Sequence, residues 1–380
     1  MNEARRYLRI LRDDPRYALR TAAAKLRTRF PADYLFLRSG RAFTPVHLTL
    51  ELTHRCNLKC HMCDLYGGGR EIDSIRSRRE APGGELGPEL FERLCASFGF
   101  MKPVLSFGGG EPLLHPRAAE MIRRAKARGF ICTLTTNGVL LARHARDLVA
   151  AGLDSIVLSI DGPEEIHDAT RGVQGTFSRA RDGAREIARL KRETGAVKPR
   201  LRVNCTINSR NISVLGSMPE VAAGFGADSL LFSHLWFWDA GIVERHNRLC
   251  GDLCPVVEQN THELDLIDPA IVARELDRAR ARRAGIAVKC LPELDAEGVR
   301  RYYTERTAPV TRLACRAVWL SAFVMPSGEL LPCLDYSYGN LNERPWEELW
   351  NGPRARLFRK RLRRTRIFPG CVRCCLLYAF

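Results

Sequence analysis

From His47 to Ser233 one pattern repeats: a short, mostly apolar run, then a longer stretch whose apolar positions recur three and four residues apart. The short runs are His47–Thr53, Pro103–Phe107, Ile131–Thr135, Ser155–Ile160, Arg202–Ile207 and Ser229–Ser233, each of strand length. Between them lie Pro88–Ser97, Arg117–Arg128, Ala142–Ala151, Thr176–Glu193 and Ile212–Ala223, which have a helical period and a charged face. Parallel strands need a crossover long enough to hold a helix, so this alternation predicts an α/β protein with a parallel sheet or a partial (β/α)6 barrel. Loops after the strands then gather at one face, where such folds place their chemistry.

Outside residues 47–234 the pattern changes. Residues 1–46 read as a basic helical extension, with Leu8, Ile10, Leu11, Tyr17 and Leu19 interleaved with Arg5, Arg6, Arg9, Arg12 and Arg16. Such a segment covers one end of a barrel or makes a peripheral contact with an anionic membrane. Gly67–Gly87 is a Gly- and Arg-rich insertion without periodicity. Residues 235–311 are less regular, with an aromatic run (Trp236, Phe237, Trp238) and a helical stretch at Pro269–Ala284, and are expected to form a connector over the active-site mouth. Residues 312–380 hold cysteines and short turns such as Pro326–Gly328, and are expected to form a small separate domain.

Composition narrows the class. The 380 residues are 45% hydrophobic and 27% charged, which excludes a disordered chain. Met1–Arg12 carries charge throughout and lacks a signal-peptide apolar run, so a cytoplasmic location is expected. Sixty basic against 43 acidic side chains give a net +17, which suits an anionic partner, although Arg is spread along the whole chain. Fourteen cysteines in a reducing compartment point to metal binding or catalysis rather than disulfides.

Their spacing sharpens this. Cys56-Asn-Leu-Lys-Cys60-His-Met-Cys63 follows the first strand directly. Three thiolates on one short loop can hold three irons of a cubane and leave the fourth iron open. A structural zinc site would need a fourth ligand, for which His54 or His61 is available. Near the carboxy terminus, Cys315, Cys333, Cys371 and Cys374 can fully ligate a [4Fe–4S] cluster or a zinc ion, with Cys375 adjacent.

With Gly109-Gly110-Glu111-Pro112 after the second strand, the C-x3-C-x2-C loop resembles that of the radical S-adenosylmethionine (SAM) superfamily. The run Cys315-x12-Gly328-x4-Cys333 with the later Cys371-x2-Cys374 is similar to a SPASM or shortened twitch domain. The resemblance implies a partial, TIM-like barrel with a SPASM/twitch-like iron–sulfur domain. Its cofactors would be SAM and two [4Fe–4S] clusters, one on Cys56, Cys60 and Cys63, the other auxiliary and on Cys315, Cys333, Cys371 and Cys374. It implies that Gly109, Gly110, Glu111 and Pro112 bind the methionine amino group and that Arg171 pairs with the methionine carboxylate. Asn137, Ser159, Asp161 and Asn204 would lie near the rest of the cofactor. One electron, from a flavodoxin- or ferredoxin-type donor, would release a 5′-deoxyadenosyl radical that abstracts hydrogen from a substrate.

For the reaction, the expectation is a small polar, sugar- or cyclitol-like substrate that is oxidised or epimerised, with Cys250 or Cys254 donating hydrogen. The alternative is a maturase acting on a ribosomally made peptide. A non-catalytic iron–sulfur electron carrier would have no use for the GGEP turn. A zinc-dependent nucleic-acid-binding protein would explain the charge and the cysteines, but nucleic acid is not the expected partner.

Overall fold

The computed structural model describes residues 11–63, 84–282, 284–310, 314–333 and 336–380. Most of the Gly67–Gly87 insertion, and Arg5 to Ile10 of the basic extension, lie outside the described residues. Among the described residues ten strands form one sheet: β1 (His47–Thr53), β2 (Val104–Gly109), β3 (Ile131–Thr136), β4 (Ser155–Ser159), β5 (Arg200–Thr206), β6 (Ser229–Ser233), β7 (Ala287–Leu291), β8 (Ser321–Val324), β9 (Glu329–Leu331) and β10 (Gly339–Asn340). Their order is β10-β9-β8-β1-β2-β3-β4-β5-β6-β7, parallel from β8 through β7, with antiparallel β9 and β10 at one edge.

The barrel strands stand where the apolar runs predict them, because buried residues alternate along each. Leu48, Leu50 and Leu52 of β1, and Ile156 and Leu158 of β4, are fully buried. Crossover helices lay apolar stripes on the outer face, among them Met121, Ile122 and Ala125 of Ala118–Ala127 and Leu141, Ala145 and Leu148 of Leu141–Ala150.

Two parts of the sheet are not foreseen by the repeat. β7 arises inside the irregular 235–311 stretch and pairs in parallel with β6, Ser233 opposite Leu291. Its sequence, Ala-Val-Lys-Cys-Leu, is short and carries a lysine, so it has no continuous apolar run. β8 adds to the other side of β1, His47 opposite Ser321, so the cysteine-bearing tail continues the barrel sheet. Arg359 fastens this junction. It is fully buried, donates to the carbonyls of Val318 and Trp350 (both 2.8 Å) and Gly40 (3.3 Å), and lies 4.1 Å above the Trp350 ring.

The basic helix Pro15–Arg29 runs under the amino-terminal ends of the strands, opposite the loops that carry the chemistry. Asp14 caps it, accepting from the Tyr17 N–H, and Arg20 donates to the carbonyls of Gly129 and Lys102 just before β3 and β2. Among the described residues no helix is long and apolar enough to cross a membrane.

Candidate active site

The cysteine loop leaves β1 and is held on both sides by backbone. The Gly110 N–H donates to Thr53 O and the Glu111 N–H to Arg55 O, each at 2.8 Å, so the GGEP turn and the start of the loop form one unit. Only glycine fits there. A Cβ on Gly109 (φ +114°) would sit 2.5 Å from Thr53 O, and one on Gly110 would sit 2.3 Å from Arg55 O. On the far side the His61 N–H donates to Thr170 O at 2.9 Å, at the end of helix Glu164–Arg171.

This frame turns Cys56, Cys60 and Cys63 toward a cavity of about 410 Å³ at the carboxy-terminal ends of the strands. Gly109, Gly110, Asn137 and Ser159, at or just after strand ends, and Arg171, at the end of helix Glu164–Arg171, line it together. Arg171 reaches Cys60 Sγ at 3.5 Å and Asp161 Oδ2 at 2.6 Å. Burial opposes its charge, but the Asp161 carboxylate and the Cys60 sulfur hold the guanidinium protonated and above its ordinary range. Asp161 itself is fully buried; its other oxygen accepts from the Thr206 N–H at 2.9 Å.

Besides Asp161, three expected residues do not line the cavity. Glu111 is fully buried, its carboxylate accepting from Leu113 N–H (3.1 Å), Thr136 Oγ1–H (2.7 Å) and Asn137 N–H (2.9 Å). It ties the GGEP turn to the end of β3. Pro112 is buried at the start of a short 3₁₀ turn, and Asn204 accepts from Ser233 Oγ–H at 3.0 Å.

The cavity's outer wall is Leu235, Trp236, Leu291 and Cys375, from β7 and from segments the repeat did not place there. Cys250 and Cys254, expected over the mouth as hydrogen donors, do not line it. Helix Ala240–Cys250 carries the chain toward the carboxy-terminal turn instead, and both cysteines are buried there.

A second, apolar cavity of about 50 Å³ is lined by Cys315, Cys333, Cys371 and Cys374, and also by Cys254. Burial pushes the Cys315 thiol up to about 12 and those of Cys333 and Cys371 well above the ordinary range. Iron would therefore have to displace these protons. The two cavities share a wall: Trp236 lines the first and Trp238 the second, with their rings 5.2 Å apart edge to face.

The donor sets fit clusters better than zinc. Tetrahedral zinc draws thiolates to about 3.8 Å from one another, whereas a cubane spreads them over separate irons. Among the described residues, the side chains gathered as a trio within 4.8 Å are His61, His262 and Glu263, and neither thiol set is gathered so closely. His61, considered as a fourth zinc ligand, places Nε2 2.7 Å from the buried Glu263 carboxylate, and His54 lies 3.4 Å from Glu51. Glu263 was not foreseen, because it meets His61 from a distant, irregular segment.

Comparison with known proteins follows the same division. Residues 50–198 match the radical SAM superfamily, and residues 315–375 match SPASM, an iron–sulfur cluster-binding domain. The chain carries a radical SAM domain. This radical SAM enzyme carries a carboxy-terminal SPASM domain, and its cofactors are SAM and two [4Fe–4S] clusters. It is 29% identical to the PqqA peptide cyclase of Streptomyces rochei, over 82% of this chain and 77% of the relative. It is also 29% identical to the AdoMet-dependent heme synthase of Methanosarcina barkeri, over 83% of this chain and 84% of that one. The fold is shared with Streptococcus suis SuiB bound to its precursor peptide SuiA (TM-score 0.59, 16% identity, 90% of this chain and 72% of that one).

These relatives overturn one expectation. Proteins named for peptide cyclisation, heme synthesis and precursor-peptide binding replace the small sugar- or cyclitol-like substrate, with its oxidation or epimerisation, that the single auxiliary cysteine set suggested. Among the described residues the one charged side chain lining the cavity is Arg171, paired with Asp161; Thr135, Thr136, Asn137, Ser159, Thr206 and Ser233 make the strand-end side polar, and Leu235, Trp236 and Leu291 make the outer wall apolar.

Proposed function

We propose that this protein is a radical SAM maturase that modifies a peptide made on the ribosome. The observation that carries the reading is the outer wall of the cavity: Leu235, Trp236, Leu291 and Cys375 facing the cysteine loop across an open chamber. Such a wall suits an apolar or aromatic side chain presented on a peptide. The names of the PqqA peptide cyclase and of the SuiB–SuiA complex support it.

SAM bound at an open iron supplies, on one-electron reduction, a radical able to take hydrogen from an unactivated C–H bond. The chain's own residues do the rest. Cys56, Cys60 and Cys63 would hold the cluster, and Gly109 and Gly110 let the turn close onto the cysteine loop, since any Cβ there meets loop backbone. Arg171 brings a fixed positive charge to the cavity beside Cys60, where a carboxylate of the cofactor can pair with it. Ser159 and Asn137 offer hydrogen bonds at strand ends, and Leu235, Trp236 and Leu291 exclude water from the reacting side.

The test is isotope transfer. Reconstituted enzyme, SAM and dithionite are given the small-peptide fraction of fully deuterated producing cells. Deuterium should enter 5′-deoxyadenosine, and digestion of the fraction with protease beforehand should abolish the transfer. Transfer that survives protease, or that follows a tetrapyrrole fraction instead, sinks the peptide reading.

A further inference from the structure

The auxiliary cavity has one thiol more than a cubane needs. Cys254 lines it with Cys315, Cys333, Cys371 and Cys374, although it lies far upstream in the sequence. It is buried, at 5% exposure, in the wall of the same cavity as Cys333 and Cys371. No feature of the SPASM-like spacing includes it.

Its position is built. His246 Nε2 lies 2.7 Å from Cys254 O and 3.9 Å from Cys254 Sγ, while its Nδ1 accepts from the Gly370 N–H at 3.0 Å. Because Nδ1 accepts, Nε2 carries the proton and donates to the Cys254 carbonyl. One imidazole thus ties the residue carrying the fifth thiol to the residue preceding Cys371. Trp238 adds a second tie, its Nε1–H donating to Gly370 O at 2.7 Å. A Cβ on Gly370 would come within 2.8 Å of His246 Nδ1, so the turn and the imidazole are in direct contact.

At the other end of the set, Cys374 is the N-cap residue of the last helix, Cys375–Ala379, and the residue after it, Cys375, lines the other cavity. Cys374 is therefore the member of the set at a helix terminus, with a second thiol next to it in the chain. We propose that Cys254 is a fifth ligand of the auxiliary cluster site, able to replace Cys374 on iron. In the exchange the iron–sulfur bond to Cys374 breaks, one to Cys254 forms, and the Cys254 thiol proton passes to the departing Cys374 thiolate. No electron is gained or lost.

The exchange changes which segment of the chain supplies the fourth ligand. With Cys374 bound, the ligand is the immediate neighbour of Cys375, which lines the substrate chamber. With Cys254 bound, the ligand belongs to the segment fastened to His246.

The test isolates the auxiliary cluster by removing the other one. A Cys56→Ala/Cys60→Ala/Cys63→Ala background should keep about four irons per chain. Adding Cys374→Ala should keep that iron, with altered electron paramagnetic resonance g values for the reduced cluster. Adding Cys254→Ala instead should also keep it, with the spectrum of the background. Adding both should lose at least three-quarters of the iron, as should Cys333→Ala. Two results overturn the assignment: Cys374→Ala alone emptying the site as Cys333→Ala does, or the Cys254→Ala/Cys374→Ala variant retaining a full cluster. Circular dichroism of each variant separates loss of cluster from loss of fold.

Discussion

Replacing Gly110 with alanine tests the claim that the GGEP turn serves as the mould for the cysteine loop. The new Cβ would stand 2.3 Å from Arg55 O and 2.8 Å from both Arg55 C and His54 O, all of them backbone atoms. Ordinary contacts lie at about 3.5 Å, so relief needs roughly 1 Å of main-chain movement. That movement strains two bonds, Gly110 N–H to Thr53 O and Glu111 N–H to Arg55 O. Overpacking costs about 1–3 kcal/mol and each weakened bond about 1 kcal/mol, or about 3–5 kcal/mol together. At about 2 °C per kcal/mol for a chain of this size, the apoprotein's Tm should fall by about 6–10 °C. Displacing Cys56 by a similar distance should lower 5′-deoxyadenosine release about 100-fold. Gly108→Ala is the control for stability: its Cβ would meet nothing within 4 Å, so Tm should stay within about 1 °C. Calorimetry, iron content and SAM cleavage read the outcome. A Gly110→Ala protein that melts, binds iron and cleaves SAM as the parent does would refute the mould.

Other predictions follow from the same structure. Removing Cys56, Cys60 and Cys63 together should end 5′-deoxyadenosine formation while the auxiliary iron stays, measured by iron analysis and product chromatography. Burial holds His47 at about 4 and His167 and His234 at about 3, against an ordinary 6.5. Their neutral forms belong to the folded state, so their contribution is complete above pH 6.5 and is lost as pH falls toward 4. Three such groups give about 4 kcal/mol per pH unit in that window, and urea titrations of the apoprotein between pH 7 and 4.5 showing no such slope would count against it. Arg359→Ala leaves the Val318, Trp350 and Gly40 carbonyls without their donor. It should cost about 3–5 kcal/mol and loosen the auxiliary domain, seen as earlier loss of auxiliary iron on heating.

The parts of this protein legible in its sequence are those set by local rules. Strand and helix periods located β1 to β6 because each strand buries alternate residues and each crossover helix one stripe. The thiol spacings announced two iron sites because three or four ligands on short loops need no long-range information. Residues that act through contacts between distant segments were hidden. β7 became a strand through pairing with β6, despite Lys289 in its middle. β8 became a strand beside β1, which joined the tail to the barrel sheet. Glu111 sits in a motif whose resemblance implies cofactor binding, yet its burial commits both oxygens to Leu113, Thr136 and Asn137. Cys254 carried no spacing signal at all; helix Ala240–Cys250 and the His246 contact to Gly370 decided which cavity received it. Sequence fixes which groups are available and in what order, but burial and pairing between segments far apart in the chain determine which of them face the same space.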